Sequence, residues 1–207
     1  MSTLRLFKAD KPFGPYLYLL AGKPESTDSC KQYGAITVLY HQDEIIGYNI
    51  AGDILKGEPQ GYLPWDKERK QVLMTLFAQN GVPFSKMDEQ EYLVVGQIKS
   101  LQEHPASEHL SVVQVDTGSA VVQIVCGSNN LRSDMKVIVA LPGAVLPEGR
   151  LIEAGKVLQV DSYGMICSAR ELGLDWYTPQ SGALRLLAEE KTGTTMSRLD
   201  WRKYHVE

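Results

Sequence analysis

The sequence predicts two parts: an α+β N-terminal domain over residues 1–88, then an all-β five-stranded Greek-key barrel, an OB-fold, over residues 91–200. Three observations carry this. A single stretch with helical period stands at residues 66–80. A Gly- and Pro-containing polar run, GVPFSKMDEQ, follows it without any period. Beyond it come about five short strand-like runs in ~110 residues, the spacing of a small barrel or sandwich.

In the first part, YLYLLAG (16–22) and AITVLYHQDEIIGYNIAG (35–52) read as strands, the second broken into a hairpin at HQDE. DILKGEPQGYLPW reads as loop. DKERKQVLMTLFAQN (66–80) reads as a helix with Asp66 as N-cap and Gly81 as terminator, burying Val72, Leu73, Leu76 and Phe77 on one face.

In the second part the strands are EYLVVGQIKSL (91–101), HLSVVQVDTG (109–118), VVQIVCG (121–127), KVIVALPG (136–143) and a fifth from about Lys156 into VDSYGMICS. The OB-fold fits that count, although pattern alone does not separate it from an SH3-like barrel.

Composition sets limits on function. The chain has 207 residues, 43% hydrophobic and 22% charged, as expected of a globular protein with a real core. No apolar run approaches the ~20 residues of a membrane span. The N-terminal MSTLRLFKAD has no apolar stretch behind a basic start. The three cysteines, Cys30, Cys126 and Cys167, form no CxxC pair. A cytoplasmic chain with reduced thiols is the expectation. Net charge is −4, divided as −1 over residues 1–90 and −3 over residues 91–207. Neither half shows the basic balance usual in nucleic-acid binders.

Candidates for chemistry are few. Cys167, within VDSYGMICSAREL (160–172), needs a histidine base to act as a nucleophile, and none of His41, His104, His109 and His205 sits in a cysteine-enzyme motif. Cys126 and Cys167 lie in apolar contexts and are expected to pack in the core. HPASEHL (104–110) spaces its histidines by five, not by the four that set a helical zinc pair, and reads as a turn at a strand end. CGSNNLRSDMKV (126–137) reads as a turn in which Asn129 and Asn130 tolerate left-handed backbone; asparagine amides and Arg132 would equally suit bases and phosphates.

Taken in order, EYLVVGQIKSLQEHPASEHLSVVQVDTG, QIVCGSNNLR, KVIVALPGAVLP, VDSYGMICSARELGL and SGALRLL are similar to the tRNA-binding domain found in the phenylalanyl-tRNA synthetase β subunit, in methionyl-tRNA synthetase appendages and in free-standing proteins. With its N-terminal half, the chain resembles the YtpR-like family of bacterial tRNA-binding proteins. The resemblance implies an OB-fold that recognises tRNA by shape and backbone, with no catalysis, no cofactor and no metal. It places tRNA-binding roles on Asn130, Arg132, Lys156, Ser162, Met165, Ser168 and Arg170. Hydroxyls and amides suit 2′-OH and phosphate, cations suit the backbone, and methionine suits sugar or base. It also implies a homodimer and an aminoacyl-tRNA synthetase as further partners. The chain departs from the family at Leu158 and Gln159, where Arg and Gly are common. Two rival readings are a protein-interaction or oligomerisation module and an enzyme built on Cys167.

Overall fold

The computed structural model describes residues 4–9, 14–21, 26–63, 65–83, 91–177 and 181–204. The chain divides into two compact units, residues 1–89 and 90–207. It is mostly β, with antiparallel sheets in both units.

The first unit has strands β1 (Leu4–Ala9), β2 (Tyr16–Ala21), β3 (Ser29–Tyr33), β4 (Ile36–His41), β5 (Glu44–Ala51) and β6 (Gly61–Leu63), and one helix, α1 (Lys67–Gln79). They form one six-stranded sheet in the order β3-β4-β5-β2-β1-β6. The expected hairpin is β4–β5, and the strand at 16–22 is β2. Three strands escape the pattern for visible reasons. The edge strand β3, SCKQY, is polar and exposed, so it has no apolar alternation. β6 has only three residues, inside the run read as loop. β1 carries two buried cations, Arg5 and Lys8. Lys8 is satisfied there, because its ammonium donates to the carbonyls of Leu55 (2.9 Å) and Glu58 (3.1 Å) and pairs with Asp53 at 3.0 Å.

Helix α1 starts as expected: the Asp66 carboxylate accepts the Arg69 N–H at 2.8 Å. It ends in a Schellman turn, with Gly81 at φ +62° and the Val82 N–H donating to the Phe77 carbonyl at 3.0 Å. Its buried face is narrower than expected. Leu73 and Phe77 are buried, Leu76 is partly so, and Val72 is 41% exposed. One turn of spacing suffices because the Phe77 ring meets Tyr48 of β5 edge-on at 4.8 Å.

The second unit has β7 (Leu93–His104), β8 (Ser107–Asp116), β9 (Val121–Cys126), β10 (Lys136–Ala140), β11 (Ala154–Val157), β12 (Val160–Tyr163) and β13 (Met165–Ile166). A five-stranded sheet runs β13-β10-β7-β8-β9, and β11 pairs with β12. β12 then lies on β9, where the Val125 N–H donates to Ser162 Oγ (3.1 Å) and Gln123 Nε2 donates to the Asp161 carbonyl (2.8 Å). This returns the sheet to β13 and β10, giving an OB-like barrel. The single fifth strand expected from the sequence is thus a hairpin followed by a short strand. Two backbone features divide it. Leu158 and Gln159 form the hairpin turn with φ of 44° and 68°. Gly164 has φ +132°, and a Cβ there would lie 2.5 Å from the Ala140 carbonyl oxygen, so only glycine lets the chain turn from β12 onto β10.

Two apolar clusters fill the unit. One is built on Ile98, Val113, Val115, Ile124 and Val137, the other on Val95, Ile138, Leu146, Cys167 and Leu184. At Gly96 a Cβ would come within 2.6 Å of Val139 and 2.7 Å of Val115, so only glycine lets the side chains of β10 and β8 close over β7 here.

Candidate nucleic-acid interface

Strand ends and loops of the second unit carry the residues singled out in the sequence. Asn130 and Arg132 lie in the β9–β10 connection. Asn130 is half-buried, and its amide brackets one residue of a distant segment: Nδ2 donates to the Ala183 carbonyl (2.8 Å) and Oδ1 accepts the Ala183 N–H (3.0 Å). The left-handed residue of this connection is Asp134, φ 64°, and neither Asn129 nor Asn130 has positive φ. The amide therefore fixes tertiary structure instead of a local turn. Arg132 is exposed.

Lys156 sits on β11, 62% exposed, with Asp161 across the hairpin at 3.8 Å. Ser162, next on the hairpin, is 6% exposed. Its hydroxyl accepts from Val125 and donates to the Gly164 carbonyl at 3.3 Å, so both its capacities are used within the barrel. Met165 is half-buried, and its sulfur accepts from Arg150 at 3.9 Å.

Ser168 opens a single helical turn. Its N–H and Oγ both donate to Glu171 Oε2, at 2.8 and 2.7 Å, and its Oγ accepts the Glu171 N–H at 3.2 Å. This is a capping box on S-A-R-E, so the serine hydroxyl is engaged in capping the start of the turn. The exposed Arg170 projects from that turn and lines an open cleft of ≈ 650 Å³ with Glu148, Ser168, Glu171 and Ser181. Arg150 partly neutralises the two carboxylates, at 3.3 Å from Glu148 and 3.5 Å from Glu171.

Hydrogen bonds gather some of these residues. Asn130 holds Ala183, and the next residue, Leu184, donates to the Cys167 carbonyl at 2.9 Å. The loop of Asn130 and the turn of Ser168 and Arg170 thus meet across residues 181–184. Lys156 and Ser162 belong to the hairpin instead, which is fastened to β9. Its turn end is held by His104, whose Nδ1 accepts the Ala106 N–H (3.1 Å) while Nε2 bonds the Val157 carbonyl (3.1 Å). The first bond leaves the ring proton on Nε2, as the second requires. HPASEHL is therefore the tight β7–β8 turn, with a buried histidine as its lock.

Cys167 is fully buried, and burial pushes its thiol up to about 12, with Glu171 adding to the effect. A thiol so held is not a nucleophile near neutral pH. Among the described residues, no group of three His, Cys, Asp or Glu side chains could hold a metal ion. No described helix is long and apolar enough to cross a membrane.

The sequence reading passed over Trp176, Arg185 and Lys203, which line a separate cavity. They are spread from residue 176 to residue 203 without a shared period, so no local pattern marks them.

Residues 93–194 match the family described as "Putative tRNA binding domain". The chain is 33% identical over 168 residues to "Putative tRNA-binding protein YtpR" of Bacillus subtilis (strain 168), covering 79% of this chain and 84% of that protein. It is 43% identical over 117 residues to the phenylalanine–tRNA ligase beta subunit of Nitrosospira multiformis, and 40% identical over 104 residues to that of Rhodospirillum rubrum. These cover 55% and 50% of this chain but only 14% and 13% of the subunits.

Proposed function

Because the chain belongs to the family of YtpR and its tRNA-binding domain, we propose that it binds tRNA without catalysis, through the OB-like barrel of its second unit. The observation that carries this is the coincidence of the matched residues, 93–194, with that barrel. We read the first unit, residues 1–88, as an α+β domain whose role is open, and residues 91–200 as the RNA-binding domain.

Exposed cations supply the contacts. Arg132 and Arg170 stand on loops that meet across residues 181–184, and among the described residues neither side chain has an ion pair. Lys156 adds a third cation, partly screened by Asp161. With about three phosphate contacts on a net-acidic domain, affinity should fall with salt at a log–log slope on the order of −2 to −3. Asn130, Ser162 and Ser168 support this surface by holding its loops, since their polar groups bond within the protein. A homodimer would bring two such patches to one tRNA, and an aminoacyl-tRNA synthetase is a fitting second partner. Binding tRNA would place the protein in the cytoplasm.

Titration of wild type and Lys156→Ala against tRNA, duplex DNA and heparin at two salt concentrations tests this reading. The substitution should weaken tRNA binding and reduce the slope by about one unit. Equal binding of all three polyanions with no effect of the substitution would favour the interaction-module reading. A monomer mass by light scattering, unchanged on adding tRNA, would exclude the dimer.

A further inference from the structure

Apart from the Arg170 cleft, the second unit holds a cavity of ≈ 420 Å³, within the usual range of ligand sites. Trp176, Tyr177 and Tyr204 supply aromatic wall, Leu187 a lining aliphatic, and Arg185 and Lys203 two cations; among the described residues no carboxylate lines it. The aromatic wall is braced from behind: Trp201 meets Trp176 at 5.9 Å and Tyr204 at 5.4 Å. Trp176 is 39% exposed. A large indole edge-braced in this way is a stacking surface whose orientation is set before any ligand arrives.

The rest of the wall is equally fixed. Leu184 and Leu186 donate to the carbonyls of Cys167 (2.9 Å) and Lys136 (2.8 Å), so Arg185 rides on a segment fastened to the barrel at both sides. Tyr204 Oη accepts the Leu187 N–H (3.2 Å) and donates to Glu190 (3.0 Å). Its phenol is thus a wall and not a free donor. Lys203 lies 4.0 Å from Glu190, whereas the Arg185 side chain has no ion pair among the described residues.

We propose that this cavity holds an unpaired nucleotide of RNA, its base stacked on Trp176 and its phosphate between Arg185 and Lys203. Every base has an aromatic face and every nucleotide an anion, which match this combination of ring, guanidinium and ammonium. The inference rests on the tRNA-binding reading and names a second contact for it, one that recognises a single strand instead of duplex shape.

The test uses the full chain and a single-stranded RNA hexamer, with intact tRNA in parallel. The hexamer should quench tryptophan emission to saturation. Trp176→Ala should abolish that quench and weaken hexamer binding about tenfold, within the range for losing one base stack; Trp176→Phe should hold affinity within about threefold. The Arg185→Ala/Lys203→Ala double variant, altering only exposed side chains, should flatten the hexamer's salt slope by about 1.4, the single-strand increment for two cations. If tRNA binds wild type and both Trp176→Ala and the double variant alike while the hexamer neither quenches nor saturates, the cavity proposal is overturned and the tRNA reading stands. If neither RNA binds, both fall. Saturable quenching by an acidic aromatic peptide but not by the hexamer assigns the cavity to a protein and overturns the proposal. Equal loss in Trp176→Phe and Trp176→Ala, with unchanged melting, also overturns it.

Discussion

Asn130 grips Ala183 by both ends of its side-chain amide, across 53 residues of sequence. The pair fixes the segment that carries Arg185 and meets the turn of Arg170. An amide that the family resemblance places among tRNA contacts is thus engaged in holding two loops together. Asn130→Ala would leave the Ala183 N–H and carbonyl without this partner, which costs about 1–3 kcal/mol when such groups stay dry. Urea unfolding should show that loss. The salt slope of tRNA binding should not change, because no cation is removed; a slope reduced by a full unit would contradict the assignment.

Ser162→Ala should behave similarly. The hydroxyl joins β12 to β9 and is buried, so its removal should lower stability by about 1–2 kcal/mol. For folded protein, tRNA affinity should change less than twofold. A tenfold loss of affinity with unaltered stability would make Ser162 an RNA contact after all.

The hairpin turn offers a gain in stability. Leu158 and Gln159 both have positive φ, a conformation costing non-glycine residues roughly 1–2 kcal/mol. Asn-Gly is the natural pair for this two-residue turn. The double substitution Leu158→Asn, Gln159→Gly should raise stability by about 1–2 kcal/mol, read as a higher thermal midpoint.

Leu158 is also 55% exposed beside the Lys156 strand. Leu158→Arg would add a cation at the hairpin tip and should steepen the tRNA salt slope by about 0.9 if that arginine reaches a phosphate. An unchanged slope would remove the hairpin tip from the RNA surface.

Cys167 gives a pH test. Its thiol is held up at about 12, against 9 for an ordinary one. Between those values the unfolded chain releases a proton that the folded chain keeps. Stability should therefore fall as pH rises from 9, by up to about 1.4 kcal/mol per pH unit. Cys167→Ala should lack this component and be less stable at neutral pH by roughly 1–2 kcal/mol. At neutral pH a thiol reagent should label the exposed Cys30 rapidly and Cys167 only on unfolding; rapid labelling of Cys167 would contradict its burial.

The sequence alone determined barrel strands β7 to β10, the capped helix and the β4–β5 hairpin, because each rests on local order: alternation, an N-cap, a turn between apolar runs. It did not show the division of the expected fifth strand into β11, β12 and β13. It also determined that Cys167 packs, since an apolar strand context is itself a local property. Three things were decided by the tertiary structure. β1 could become a strand only because Leu55, Glu58 and Asp53 come round to satisfy Lys8. The polar residues of the candidate surface separate into those whose groups are consumed within the protein, Asn130, Ser162 and Ser168, and the exposed cations Arg132, Lys156 and Arg170. The cavity of Trp176, Arg185 and Lys203 assembles from three segments with no common period. A hydrogen-bond partner 53 residues away, or a wall shared by distant loops, leaves no periodic trace in the chain, because it depends on which backbone groups the folded barrel happens to bring within 3 Å.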